Sequence, residues 1–119
     1  ENIVSRNNVL ECGNKKYPAI NDPAAHPTNN FDYDLYFGEL RAAEGNESNG
    51  INDKPDYIVQ PDGSIALKPA SPGHDAGMPL PNFNDDFHGD APDMGAFETG
   101  DRNPLPETWP DLAPLIRMK

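Results

Sequence analysis

Apolar residues in this chain come in pairs and triplets divided by polar corners, a pattern of short extended pieces with little room for long helices. Ile3 with Val4 and Val9 with Leu10 predict two short strands, and Asn7 and Asn8 mark the corner between them. Asparagine tolerates the left-handed backbone region and bonds locally to the main chain, which suits a tight corner. After a loop over residues 13–28, Asn29 and Asn30 precede the alternating run Phe31, Asp32, Tyr33, Asp34, Leu35, Tyr36, Phe37, which ends at Gly38.

Strict alternation assigns faces: Phe31, Tyr33 and Leu35 point to the core, and Asp32, Asp34 and Tyr36 point away. Asp32 and Asp34 therefore read as a solvated face before they read as a metal or catalytic pair. The return from Asn8 to Asn30 spans 22 residues and matches one coil of a parallel β-helix, in which each turn lays its strands over those of the turn before. Residues 39–43 predict a brief helix without caps, and residues 44–55 a polar loop containing the glycosylation sequon Asn46-Glu47-Ser48. A strand over 56–59, with Tyr57 and Val59 in the core, leads through the turn Gln60-Pro61-Asp62-Gly63 into a strand over 64–67. A last apolar strand is expected at residues 94–97.

Composition narrows the classes. Of 119 residues only 35% are hydrophobic, which is thin for a self-sufficient core, while 14 prolines and 10 glycines favour turns. Twenty acidic against nine basic residues give a formal charge of -11, a field that repels a phosphate backbone or an anionic membrane. Nucleic acid is thus not expected as a partner, and no apolar run reaches the ~18 residues that a membrane span needs. The single cysteine, Cys12, has no internal disulfide partner and reads as a small buried hydrophobe. The chain starts at Glu1 inside a patterned segment, so it reads as one piece of a longer polypeptide.

Residues 71–98 hold the densest set of Gly, Pro and Asp. Ser71, Pro72, Asp75 and Gly77 form an SPxxDxG element, Asp86, Phe87 and Gly89 a D-F-x-G step, and Asp93, Gly95, Ala96 and Glu98 a DxGAxE element. Upstream, Asp53, Pro55, Tyr57, Gly63, Ile65 and Leu67 extend the pattern. The stretch resembles the closing segment of secreted right-handed parallel β-helix proteins of the pectate-lyase-like kind. His74 departs from that pattern by replacing the small aliphatic residue usual before the aspartate, and Asp56 occupies a position often apolar.

The resemblance implies an all-β fold: the C-terminal coils and cap of a right-handed parallel β-helix, a solenoid. Residues 1–70 would be the last coils with loop insertions, residues 71–98 the closing segment, and residues 99–119 a Pro-rich strap whose Leu105, Trp109, Leu112, Leu115 and Ile116 pack across the open end. It implies part of a secreted, cell-surface or periplasmic polysaccharide lyase acting on an acidic glycan, with a glycoside hydrolase or a noncatalytic adhesion protein as alternatives. The partners would be the upstream β-helix portion, or a companion chain, and a polysaccharide substrate.

Catalytic residues in resembling enzymes sit on middle coils, so here they are unknown, with Asn7, His26 and Tyr33 at the margin. The acidic loop, Asp85, Asp86, His88, Asp90 and Asp93, reads first as turn-satisfying groups and second as Ca²⁺ ligands, with Asp85, Asp86, Asp90 and Asp93 as the calcium set. Glu98 is expected to pair with a corner donor or with Arg102.

Overall fold

The computed structural model describes residues 2–87 and 89–98. Within them lie nine short strands: β1 (Val4–Ser5), β2 (Val9–Glu11), β3 (Pro18–Asn21), β4 (Asn30–Phe31), β5 (Leu35–Phe37), β6 (Glu39–Arg41), β7 (Ile51–Asn52), β8 (Tyr57–Val59) and β9 (Ile65–Leu67). No helix occurs among the described residues, so the fold is all-β with mostly parallel pairing. Strands β1, β2 and β3 each pair parallel with β4, β5 and β6 in turn, and β7 adds to the far side of β5. One pass of the chain therefore lies strand by strand beside the next. Strands β8 and β9 form an antiparallel hairpin around the turn at residues 60–64, as the Pro-Asp-Gly sequence predicts.

The corners explain why such brief strands hold. Asn7 and Tyr33 take left-handed backbone angles, φ 57° and 58°, and the Asn7 amide donates to the Tyr33 carbonyl at 3.0 Å. They are equivalent positions on successive passes, since Asn8 lies beside Asp34, 26 residues on. At the next corner Gly38 fits because any Cβ would come within 2.5 Å of the Tyr17 carbonyl oxygen and 2.7 Å of Cys12 Sγ. Cys12 is thereby half-buried, and its thiol lies 3.2 Å from the Phe37 carbonyl.

The core is small and runs along one column. Val9, Leu35 and Ile51 are register partners on three adjacent strands, and Leu35 is fully buried. Leu67 from the hairpin and Met94 from the closing segment complete the buried cluster, with Tyr33 and Ala76 at its margin. Gly73 lies so close that a Cβ would sit 2.9 Å from Leu35 Cδ2 and 3.0 Å from Leu67 Cδ1. The closing segment is then laced to the first pass: Gly95 donates its amide to the Asn7 carbonyl, and the Asn7 side chain exchanges two 2.7 Å bonds with the Met78 backbone.

Five local expectations change. Residues 39–43 hold strand β6 instead of a helix, because the turn at Gly38 sets the chain beside β3. The pass repeat is 26 residues, and Asn8 faces Asp34 instead of Asn30. The left-handed turn at Tyr33 interrupts the alternation, so Asp34 is fully buried while Phe31 is only half-buried. Tyr57 and Val59 are exposed, since the inner residues of the hairpin are Ala66 and Leu67. Residues 94–97 make bends, not a strand. The strap over 99–119 and Arg102 lie outside the described residues.

Truncating the column measures what it contributes. Leu35→Ala is expected to lower unfolding free energy by about 3 kcal/mol, within the range for large-to-small changes at buried leucines, whereas Ile58→Ala, at a 41% exposed site, should change it by well under half as much. Urea titration of the two variants checks this, and equal losses would contradict the core assignment.

Candidate functional site

The four aspartates of the calcium set go to different places. Asp85 is exposed and accepts the Asn82 amide at 2.7 Å; Asp86 and Asp90 are exposed; Asp93 is buried at 3%. Asp85, Asp86 and Asp93 line a cavity of about 300 Å³ together with Phe87, Phe97 and Glu98, and Asp90 does not line it. The Asp93 carboxylate is turned inward, however, taking the Asp75 amide at 2.8 Å and lying 3.0 Å from His74 Nδ1. Among the described residues, the group whose ligand atoms converge within 4.8 Å of one another is His74, Asp75 and Asp93.

Local sequence explains this convergence. The turn through Ser71, Pro72 and Gly73 brings the His74 amide to the Ser71 carbonyl, and Asp75 follows in a left-handed conformation, φ 53°. Two backbone bonds, Gly77 to Pro92 and Met94 to Gly73, tie this turn to the DxGAxE element. Glu98 accepts the Asp93 amide, which fulfils its expected pairing with a corner donor. Asp93 thus satisfies a turn as the sequence suggests, while Asp75 points its carboxylate at His74 Nε2, 3.6 Å away.

A second pair of carboxyl groups joins Asp34, expected on a solvated face beside Asp32, to Glu47, which the sequence did not single out. Asp34 is fully buried and accepts Ser5 Oγ at 2.6 Å, the Asn8 amide at 2.8 Å and Asn8 Nδ2 at 3.0 Å. Glu47, 7% exposed, takes the Asp34 amide on Oε2 at 3.2 Å, while its buried Oε1 makes no hydrogen bond among the described residues. Burial first, and then the hydrogen bond and charge of Asp34, push the Glu47 carboxyl up to about 8 from 4.5. A proton on Glu47 removes the charge repulsion and lets its carboxyl donate to Asp34. Gly50 makes the fit, because a Cβ there would overlap Glu47 Oε2. An interrupted alternation at Tyr33 and a glycine three residues after the glutamate are the weak sequence signals.

The marginal catalytic candidates do not converge. Asn7 is buried against Met78, Tyr33 borders the core, and His26 sits on a separate loop with Nδ1 2.8 Å from Asp22. The hydrogen bond from His26, and then that from Asn29, hold the Asp22 carboxyl below the usual carboxylate range. In the sequon, Asn46 uses both ends of its side chain, accepting the Phe31 amide at 2.7 Å and donating to the Ala43 carbonyl at 2.8 Å. It reads as a turn-forming residue. No family model, curated protein or solved structure matches this chain.

The Glu47 proton makes stability depend on pH. The folded chain keeps it to about pH 8, whereas the unfolded chain loses it near 4.5. Its stabilising contribution is fully present below 4.5, is lost as pH rises, and is gone above about 8. The slope from this group is at most about 1.4 kcal/mol per pH unit. Glu47→Gln, which keeps the shape without an ionisable group, should flatten the decline between pH 5 and 8. Urea midpoints across that range check this, and parallel profiles for the two proteins would contradict it.

Proposed function

We propose that this chain supplies the last coils and the closing segment of a right-handed parallel β-helix, and that the whole protein is an extracellular polysaccharide lyase acting on an acidic glycan. The observation that supports the solenoid is the ordered pairing of β1, β2 and β3 with β4, β5 and β6, all parallel, as stacked coils require. The glycan-processing part rests on the resemblance of residues 71–98 to the closing segment of such enzymes. Among the described residues, strands β1, β2 and β3 all lie at sheet edges, where a coil from the upstream portion or a companion chain would pair in parallel.

In this reading the chemistry belongs to other coils. A β-elimination needs a base beside the sugar and a cation or arginine on its carboxylate. His26, Asn7 and Tyr33 are each engaged in separate structural contacts here. The role of the present chain is to close the solenoid and shield its core: Met94 and Gly73 cover the Val9–Leu35–Ile51 column, and residues 78 and 95 clamp the first corner.

Incubating the full polypeptide that carries this chain with uronic-acid polymers tests the proposal. The expected result is an unsaturated product seen by its ultraviolet absorbance. New reducing ends without that absorbance would replace the lyase with a hydrolase. Turnover of no glycan by a folded protein would overturn the enzyme reading in favour of a noncatalytic surface protein.

A further inference from the structure

We propose that His74, Asp75 and Asp93 form a binding site for a divalent transition-metal ion of the zinc class. The inference stands independently of the glycan reading. It starts from chemistry: one imidazole nitrogen and two carboxylate oxygens are a donor set for a borderline dication, since a hard ion such as Ca²⁺ prefers oxygen throughout. The two carboxylates supply the charge that offsets the ion's own, and all three donor atoms lie within 4.8 Å of one another.

The site is built before any ion arrives. Asp93, with a side chain only 1% exposed, accepts the Asp75 amide on its carboxylate, and its own backbone amide donates to Glu98. The backbone bonds Gly77 to Pro92 and Met94 to Gly73 hold the two contributing turns against each other. Such restraint on the supporting shell is what sets ligand geometry in a metal site.

Among the described residues, two buried atoms in the cluster make no hydrogen bond: His74 Nδ1 and Asp75 Oδ1. Asp93 Oδ1 lies 3.0 Å from that nitrogen, yet the pair makes no aligned hydrogen bond, and the contact from Nε2 to Asp75 is long at 3.6 Å. The two carboxylates approach different ring nitrogens, Asp93 at Nδ1 and Asp75 at Nε2, so an ion bound through one nitrogen would replace one of these contacts. Gly89 completes the cradle. Its φ is 88°, and a Cβ there would come within 2.5 Å of both Asp75 oxygens, so a side chain would block the carboxylate. His74 and Asp75 keep side-chain exposures of 25% and 29%, which gives the ion access and leaves room for water in the remaining coordination position.

The test uses chelator-treated protein. Calorimetric titration with ZnCl₂ should show one equivalent bound, and Co²⁺ in its place should give visible d–d absorption bands of low-symmetry N/O coordination. His74→Ala should weaken Zn²⁺ binding by more than the roughly 10–100-fold that loss of an outer-shell contact costs. Asp75→Asn, which preserves shape, should weaken it as well should the His74 variant fail to fold. Asp86→Asn, outside the cluster, should leave it unchanged. Absence of Zn²⁺ uptake and of Co²⁺ bands in the folded wild-type protein would overturn the proposal. So would unchanged binding in both His74→Ala and Asp75→Asn, or loss of binding in Asp86→Asn alone, which would move the ion to the acidic loop.

Discussion

A carboxylate with no exposure to water governs how the passes of this chain register. Asp34 accepts three hydrogen bonds from Ser5 and Asn8 of the preceding pass, and its own amide donates to Glu47 of the following loop. Burying such a group without partners costs several kcal/mol, so only the observed register is tolerable. A slip of one residue between β2 and β5 would strip Asp34 of Asn8 and turn Leu35 away from Val9. Strands of two to four residues bury too little apolar surface to specify alignment alone. Here the charge specifies it, and the adjacent Val9–Leu35–Ile51 column supplies the burial.

The closing segment depends on that alignment and adds its own. Asn7, at the corner next to Asn8, bonds through backbone and side chain to residues 95 and 78. Its position thus links the first pass to the last described residues. The same folding-back sets the turn at 73–75 against the turn at 92–95, and from this comes the convergence of His74, Asp75 and Asp93. Closure and a candidate metal centre share one cause: two Asp-x-Gly turns must satisfy each other's amides within a few ångströms.

The sequence made the chemistry of the corners legible but not their spacing. Asparagines marked a turn correctly at Asn7, and Pro61-Asp62-Gly63 marked the hairpin, because those residues act through local backbone preference. The burial of Asp34 was hidden because a left-handed tyrosine reverses alternation, and tyrosine carries no local sign that it will adopt that angle. The helix expected at 39–43 was lost to pairing with β3, a contact with residues about twenty positions earlier that no local pattern reports. The acidic loop was visible as a cluster in sequence, yet Asp93 leaves it for His74, a partner from the other side of the turn. Chain proximity is a poor guide wherever a loop folds back on an earlier element.

Amide hydrogen exchange, resolved residue by residue, examines the register directly. The amides of Asn8, Leu35, Ile51 and Gly95 bond to Asp34 Oδ1 and to the carbonyls of Asn8, Asp34 and Asn7, respectively, all between passes or between closure and first corner. Protection that is strong at all four and lost together under mild denaturant is the predicted result. Exchange of these four at the rate of an unstructured peptide, with protection confined to the β8–β9 hairpin, would contradict the stacked-pass account.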